Sequence, residues 1–176
     1  LNRHGLSMFD CTLSPIHGGS IIGYVGHQGT HAPTQRLIDM RAEEERSGCN
    51  EIAAYRAFAH RIEVMKQKNL AMLNKARAEG KRVFGMGAPV KGNTLLNYFG
   101  IGPELIECLL EKNTLRRDLF SPGKHIPIKI EAETETVPDI YYVLAWNFKK
   151  EILANNQHLV ERGVEFFFPI EPKLSA

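Results

Sequence analysis

The sequence predicts an α/β domain with a mainly parallel sheet in three layers, preceded by a β-hairpin and two lead-in helices. Two observations lead to this fold class. Beyond residue 80, short and continuously apolar strand patterns alternate with helical patterns, which is typical of a parallel sheet covered by helices. The 176 residues are 43% hydrophobic and 24% charged, so the chain has enough apolar material to build one core without disulfides.

The first 80 residues are expected to form the hairpin and the two helices. A turn rich in glycine and proline separates two strand patterns within residues 6–26, and a polar linker follows. The first helix is expected from Pro33 to Gly48, and the second from the N-cap Asn50 to Gly80. The second helix would be about 45 Å long, which indicates a strut between lobes or a helix that packs on a partner.

After Gly80, strands and helices alternate along the chain. Five apolar runs predict the strands of the sheet, which are expected at 82–85, 105–110, 126–130, 141–145 and 164–170. The proline in the third run indicates an edge strand. A glycine-rich loop at 87–93, a short helix at 94–99 and a longer helix at 148–162 are expected between the strands.

Charge and cysteine content exclude several classes of protein. The formal net charge is +2, and no Lys/Arg stripe or basic tail favours nucleic acid. The longest stretch without charge, from Cys11 to the residue before Arg36, is broken by proline, glycine and histidine, so it does not predict a membrane span. The three cysteines are widely spaced and lack a CxxC pair, which argues against zinc here and favours a reducing, cytoplasmic setting.

The segment from Gly85 to Thr94 is the most informative for function. It follows a predicted strand and opens a helix, where α/β sheets bind phosphate through backbone N–H groups. Lys91 would add a positive charge, while Asn93 and Thr94 would donate hydrogen bonds or cap the helix. The candidate ligand residues are Gly87, Ala88, Lys91, Gly92, Asn93 and Thr94.

The spacing of this segment discriminates between known phosphate loops. It is not a Walker A loop, because Lys91 precedes Gly92. It is not a full dinucleotide fingerprint either, because Val90 stands where the third glycine belongs. The alternative is a tight strand-to-helix turn that binds nothing.

Three further segments carry candidate site residues. His17 lies on the glycine-rich hairpin turn, and His125 follows a Pro-Gly turn before the third strand. Trp146 and Asn147 follow the fourth strand, at the edge of the sheet where ligands bind. The alternatives are a solvated turn for His17, an exposed turn for His125, a core position for Trp146 and a helix cap for Asn147.

Together these segments resemble bacterial sugar C-methyltransferases, which use S-adenosylmethionine to methylate a carbon of an NDP-4-keto-6-deoxy sugar. The order and spacing of the segments fit over nearly the whole chain, and the stretch from Gly87 to Asn97 is the specific one. Lys124 stands where the family more often has a small polar residue. The matching stretches are His17-Gly18-Gly19-Ser20, residues 85–98, residues 122–128 and residues 144–148.

The resemblance implies a division of the chain into three parts. Residues 1–26 would be the end of a methyltransferase domain that binds S-adenosylmethionine, and residues 27–80 a linker with lead-in helices. Residues 81–176 would be a Rossmann-like domain that binds the nucleotide sugar. The zinc-binding part, the cofactor site and the catalytic base would lie upstream, where we expect further sequence because the chain opens like the end of a helix.

The resemblance also implies that this chain binds substrate but does not catalyse methyl transfer. Lys91 and the backbone around Gly87 and Gly92 would hold the diphosphate. His17 and Asn147 would lie nearer the base or sugar. The sugar, the base, the methylated carbon, the catalytic residues and the oligomeric state stay open.

Two other functions compete with this interpretation. A non-catalytic interaction module would use the long helix from Asn50 as its working surface. An NAD or CoA site in the glycine-rich loop is disfavoured by the missing third glycine and by the lack of an acidic residue at the end of the second strand.

Overall fold

The structure is a computed structural model that describes residues 1–16 and 19–171. By its contacts the chain divides into two units, and the division falls inside a long helix, between Ile62 and Glu63. The first unit holds an antiparallel hairpin and the helices that follow it. Its elements are β1 (Leu6–Ser14), β2 (Ser20–His27), α1 (Gln35–Ser47) and the first part of α2 (Ile52–Ala78).

The second unit holds a five-stranded sheet and its helices. Its elements after α2 are β3 (Val83–Met86), α3 (Val90–Phe99), β4 (Cys108–Glu111), β5 (Ile128–Ile130), β6 (Ile140–Val143), α4 (Lys149–Asn155), α5 (Gln157–Glu161) and β7 (Glu165–Phe167). The strand order is β5-β4-β3-β6-β7 and every pairing is parallel. The predicted α/β class is therefore confirmed, and β5 lies at an edge as its neighbouring proline indicated.

The hairpin of the first unit is also confirmed. β1 and β2 pair from Leu6 opposite His27 to Ser14 opposite Ser20, with a register shift near Met8. The start of α1 differs from the prediction, because Thr34 and not Pro33 opens it: the Thr34 hydroxyl accepts a hydrogen bond from the Leu37 N–H. α1 ends at Ser47, and its C-cap is Gly48, whose φ of +62° suits glycine.

The layers of the second unit follow from its strand order. The chain passes from β3 outward to β4 and β5, then returns to β6 on the other side of β3. Because crossovers between parallel strands are right-handed, α3 and the pair α4–α5 lie on opposite faces of the sheet. The result is a Rossmann-like three-layer arrangement with its core around buried residues such as Phe84, Leu109 and Tyr142.

Three sequence predictions need correction in the second unit. The helix after the glycine-rich turn begins at Val90 and not at Thr94. The second strand runs to Glu111 and so includes the acidic residue that was expected to be missing. The helix expected over 148–162 is two short helices, because the chain breaks at Asn156 between α4 and α5.

Within the described residues, no helix combines the length and the low polarity needed to cross a bilayer.

Candidate functional site

The candidate site lies where β3 ends. β3 is the first strand of the parallel sheet, and its neighbours β4 and β6 are reached in opposite directions. Such a reversal opens a crevice at the carboxyl ends of the strands, and open α/β sheets bind ligands there. The turn after β3 and the turn after β6 both border this crevice.

Glycines shape the turn after β3. Gly87 has a φ of +82°, a conformation that residues with a side chain rarely adopt, and its N–H donates to the Leu110 carbonyl at 2.8 Å. Gly92 lets α3 approach the sheet: a Cβ there would lie 2.9 Å from the Leu144 Cβ and 3.1 Å from the Pro89 Cγ. Gly92 thus has the packing role of a third fingerprint glycine, two positions later than the dinucleotide pattern.

The N-terminus of α3 is open to a ligand. Its N-cap is Pro89, which has no side chain able to accept from the first turn, so neither Asn93 nor Thr94 caps the helix. Val90, Lys91 and Gly92 form the first turn, where unpaired N–H groups and the helix dipole favour an anion.

Lys91 lies over the indole of Trp146. Its Nζ is 5.3 Å from the ring centroid, a cation–π contact between the first turn of α3 and the end of β6. No carboxylate among the described residues lies within ion-pair distance of Lys91, so its charge stays available to a ligand. Trp146 is 8% exposed, which favours its role as a packed wall beneath Lys91 over a stacking platform.

Asn93 lies on the other side of the helix from Lys91. Side chains two positions apart in an α-helix are rotated by about 200° from each other around the helix axis. Asn93 lines a pocket of about 290 Å³, which we call the α3 pocket. The remaining lining residues are Ala88, Pro89, Val90, Leu109, Arg116, Leu119, Phe120, Ser121, Pro122, Ile128 and Leu144.

The loop that carries His125 is docked against the same side of α3. The Asn97 amide donates to the carbonyls of Asn93 and Pro122, both at 2.9 Å. Ser121 closes the loop, because its hydroxyl accepts from the Ile126 N–H at 3.0 Å and its carbonyl accepts from the His125 N–H at 2.9 Å. His125 itself is exposed and has a φ of 54°.

Three other candidate residues from the sequence have no described contact with the groups above that would bind a ligand. Thr94 is exposed, and its hydroxyl donates back to the Val90 carbonyl at 3.3 Å. Asn147 lies in a short 3-10 turn after β6, and the N-cap of α4 is Phe148, so Asn147 does not cap that helix. His17 falls outside the described residues.

Sequence reasoning missed Glu111 and Arg116. An Nη1 of Arg116 donates to the Ala88 carbonyl at 2.5 Å and to the Glu111 carboxylate at 3.0 Å, which ties the end of β4 to the glycine-rich turn. The other Glu111 oxygen accepts from the N–H groups of Lys112 and Asn113. Glu111 could have been found by extending the second strand by one residue, but nothing in the sequence marks Arg116.

Glu111 also changes the argument about a dinucleotide site. An acidic residue at the end of the second strand is the usual ribose ligand of a Rossmann fold, so the expected absence of one was wrong. Both oxygens of this carboxylate are already bonded within the protein. Glu111 therefore serves to fix the turn in this structure.

A second groove of about 300 Å³ lies on the α4 side of the same edge. Gly87, Ala145 and Phe148 line it, together with Glu111, Glu131 and Glu151. Lys112 is the one cationic residue among its described lining. The surplus of carboxylates makes this groove a poor host for a phosphate.

Metal ligands do not gather within the described residues. No group of three or more histidine, cysteine, aspartate or glutamate side chains could hold an ion there. Cys11 and Cys108 are buried and Cys49 is exposed, and all three are free thiols. Burial raises the pKa of the Cys108 thiol to about 11, so this thiol is neutral at physiological pH.

The fold and this edge define a class of protein, the Rossmann-like α/β domains that carry a glycine-rich turn at the switch point of the sheet. Comparison with known families identifies the particular one: residues 15–171 match the model described as the C-methyltransferase C-terminal domain. The chain belongs to this family, which confirms the resemblance seen in the sequence.

A curated relative agrees with the family match. The chain is 36% identical over 174 residues to C-methyltransferase NovU of Streptomyces niveus, and the match covers 97% of this chain. It covers 41% of the relative, so the chain spans about two fifths of that protein's length.

Proposed function

We propose that this chain is the substrate-binding part of an S-adenosylmethionine-dependent C-methyltransferase that acts on a nucleotide-linked keto-deoxy sugar. The observation that carries the proposal is the open N-terminus of α3 at the sheet switch point, with the unpaired charge of Lys91 beside it. A diphosphate fits such a site because N–H donors and a cation both favour its charge. Membership of the C-methyltransferase family links the site to methyl transfer.

Each part of the ligand has a place in this proposal. The diphosphate would bind the N–H groups of the first turn of α3 and the Lys91 ammonium. Asn147, which lies in the 3-10 turn after β6, would be nearer the base or sugar. The division of the chain at residues 26 and 80 belongs to the same proposal.

The reaction itself would need groups from outside these 176 residues. A base would remove a proton beside the ketone, and the methyl donor would supply a sulfonium methyl group to the resulting enolate carbon and leave as a neutral thioether. The methyl donor, the base and a zinc site are proposed for another part of the whole protein. The chain alone would then bind nucleotide sugar without methylating it.

The test is a titration of the chain with inorganic pyrophosphate, nucleoside diphosphates, NAD and S-adenosylmethionine. Trp146 is the sole tryptophan, and a diphosphate that draws Lys91 from its ring should change its fluorescence. The cation–π contact is worth about 0.5–1 kcal/mol, less than the 1.5–3 kcal/mol of a hydrogen bond to a charged group. The proposal expects saturable diphosphate binding and no binding of S-adenosylmethionine.

The matched variants are Lys91→Met and, as a control, Lys68→Met on the exposed side of α2. Loss of one charged hydrogen bond predicts about ten- to a hundredfold weaker diphosphate binding for Lys91→Met. Lys68→Met should bind like the unmodified chain. Equal affinities for all three proteins would refute the diphosphate assignment, and binding of S-adenosylmethionine would refute the division of the chain.

The interaction module is a second candidate, favoured by the apolar residues on the first half of α2. Ile52, Tyr55 and Phe58 are more than half exposed and recur at helical spacing. Association that rises with concentration and is abolished by Phe58→Asp, in a chain that binds no diphosphate, would favour this candidate. A monomer at high concentration would count against it.

A further inference from the structure

The α3 pocket has the composition of a site for a flat, mostly apolar group. Leu109, Ile128 and Leu144 are buried side chains at its base. The lining also includes Val90, Leu119 and Phe120, whose exposed fractions are 82%, 51% and 58%. Apolar walls with few polar groups are typical of small-molecule sites, and 290 Å³ is near the lower end of their volumes.

One polar atom in this pocket has no partner. The Oδ1 of Asn93 is buried and accepts no hydrogen bond from any described residue. The neighbouring Asn97 amide, by contrast, donates to two carbonyls. A buried acceptor left unpaired is destabilising by about 1–3 kcal/mol, so such an atom marks a place where a ligand N–H would be favourable.

The pocket and the second groove differ in charge. Arg116 pairs with Glu111, which leaves Glu131 and Glu151 against one lysine in the second groove, and these two carboxylates repel an anionic nucleotide. The α3 pocket has no carboxylate in its lining, and its single charged residue, Arg116, is paired with Glu111. Both cavities adjoin the glycine-rich turn, so the charge of their linings decides which of the two can take part of an anionic nucleotide.

We propose that the α3 pocket holds the heterocyclic base of the nucleotide, with an N–H of the base donating to the Oδ1 of Asn93. Phe120 at the lining offers its ring for stacking on the base. This inference rests on the proposed function, because it places the diphosphate at the first turn of α3. Asn93 is then a residue that determines specificity for the ligand.

The test compares two ligands on four proteins by calorimetry. The ligands are inorganic pyrophosphate and whichever of UDP, dTDP, GDP, CDP and ADP binds most tightly. The proteins are the unmodified chain, Asn93→Ala, Phe120→Ala and Phe148→Ala. Phe148 is the matched control, because it is 59% exposed and lines the second groove.

Asn93→Ala should weaken nucleotide binding by about two- to tenfold, the loss of one neutral hydrogen bond. Phe120→Ala should weaken it by about five- to a hundredfold, as expected when base–aromatic stacking is lost. Neither change should alter pyrophosphate binding. Unchanged pyrophosphate binding would also show that both variants are folded. Phe148→Ala should bind both ligands as before.

Three results would overturn the inference in distinguishable ways. Nucleotide binding that is no tighter than pyrophosphate binding would mean that no base site exists, while the diphosphate site stands. Weaker nucleotide binding in Phe148→Ala alone would place the base in the second groove. No binding of either ligand to the unmodified chain would refute the proposed function together with this inference.

Discussion

Removal of one hydroxyl should reveal how the long helix is fixed to the sheet of the second unit. The Tyr142 hydroxyl donates to the Oδ1 of Asn69 at 2.7 Å, and the Asn69 amide donates to the carbonyls of Met65 and Pro169. Tyr142 is 0% exposed and Asn69 1%. In Tyr142→Phe the Asn69 oxygen would stay buried without a donor, so we expect a loss of about 1–3 kcal/mol in the free energy of unfolding.

The assay is urea unfolding followed by the fluorescence of Trp146, which lies in the second unit and reports that unit. The matched control is Tyr141→Phe on the same strand, whose hydroxyl bonds to no described residue. We expect the control to change stability by less than about 0.5 kcal/mol. Equal effects of the two substitutions, or no effect of Tyr142→Phe, would refute the reasoning.

Three further predictions concern packing, pH and thiol reactivity. Gly92→Ala should destabilise the second unit by about 1–2 kcal/mol in urea unfolding, because the new Cβ would press on Leu144. This steric effect should exceed the helix-favouring effect of alanine, so a stabilised variant would contradict the prediction. The Arg36 guanidinium lowers the pKa of Asp10 to about 2. The stability that this carboxylate adds should therefore be present above about pH 4 and be lost as the pH falls toward 2. Thermal unfolding of Asp10→Asn, measured over the same pH range, should not show this loss of stability. In the folded chain Cys49 should be alkylated rapidly at pH 8, while Cys11 and Cys108 should react only in denaturant; mass spectrometry that finds Cys108 modified first would refute the burial.

The sheet could be predicted from the sequence because each strand is a short, continuous apolar run. The side chains of Tyr141, Tyr142 and Val143 are buried, and such runs are characteristic of strands covered on both faces. The edge position of β5 could be predicted from Pro127 just before it, because a proline has no N–H to donate to a neighbouring strand. These features depend on neighbouring residues alone, so a single sequence shows them.

The site could be predicted only in part, because tertiary contacts override local preference there. Val90 and Gly92 are poor helix formers, and on propensity alone the segment reads as a loop. In the structure α3 nevertheless begins at Val90, and Gly92 in its first turn lies close against Leu144, the residue that follows β6. Likewise the bond from Arg116 to the Ala88 carbonyl joins residues 28 positions apart, which no local pattern can indicate.

The early start of α3 decides how a ligand could touch the site. In a loop, Lys91 and Asn93 could both face one ligand group, but in a helix they point about 200° apart. A ligand that contacts both must therefore lie across the N-terminus of the helix. Under the proposed function and the inferred base site together, the diphosphate would sit at the helix axis beside Lys91. The base would extend past Asn93 into the α3 pocket, and the sugar would extend toward Trp146, on the β6 side.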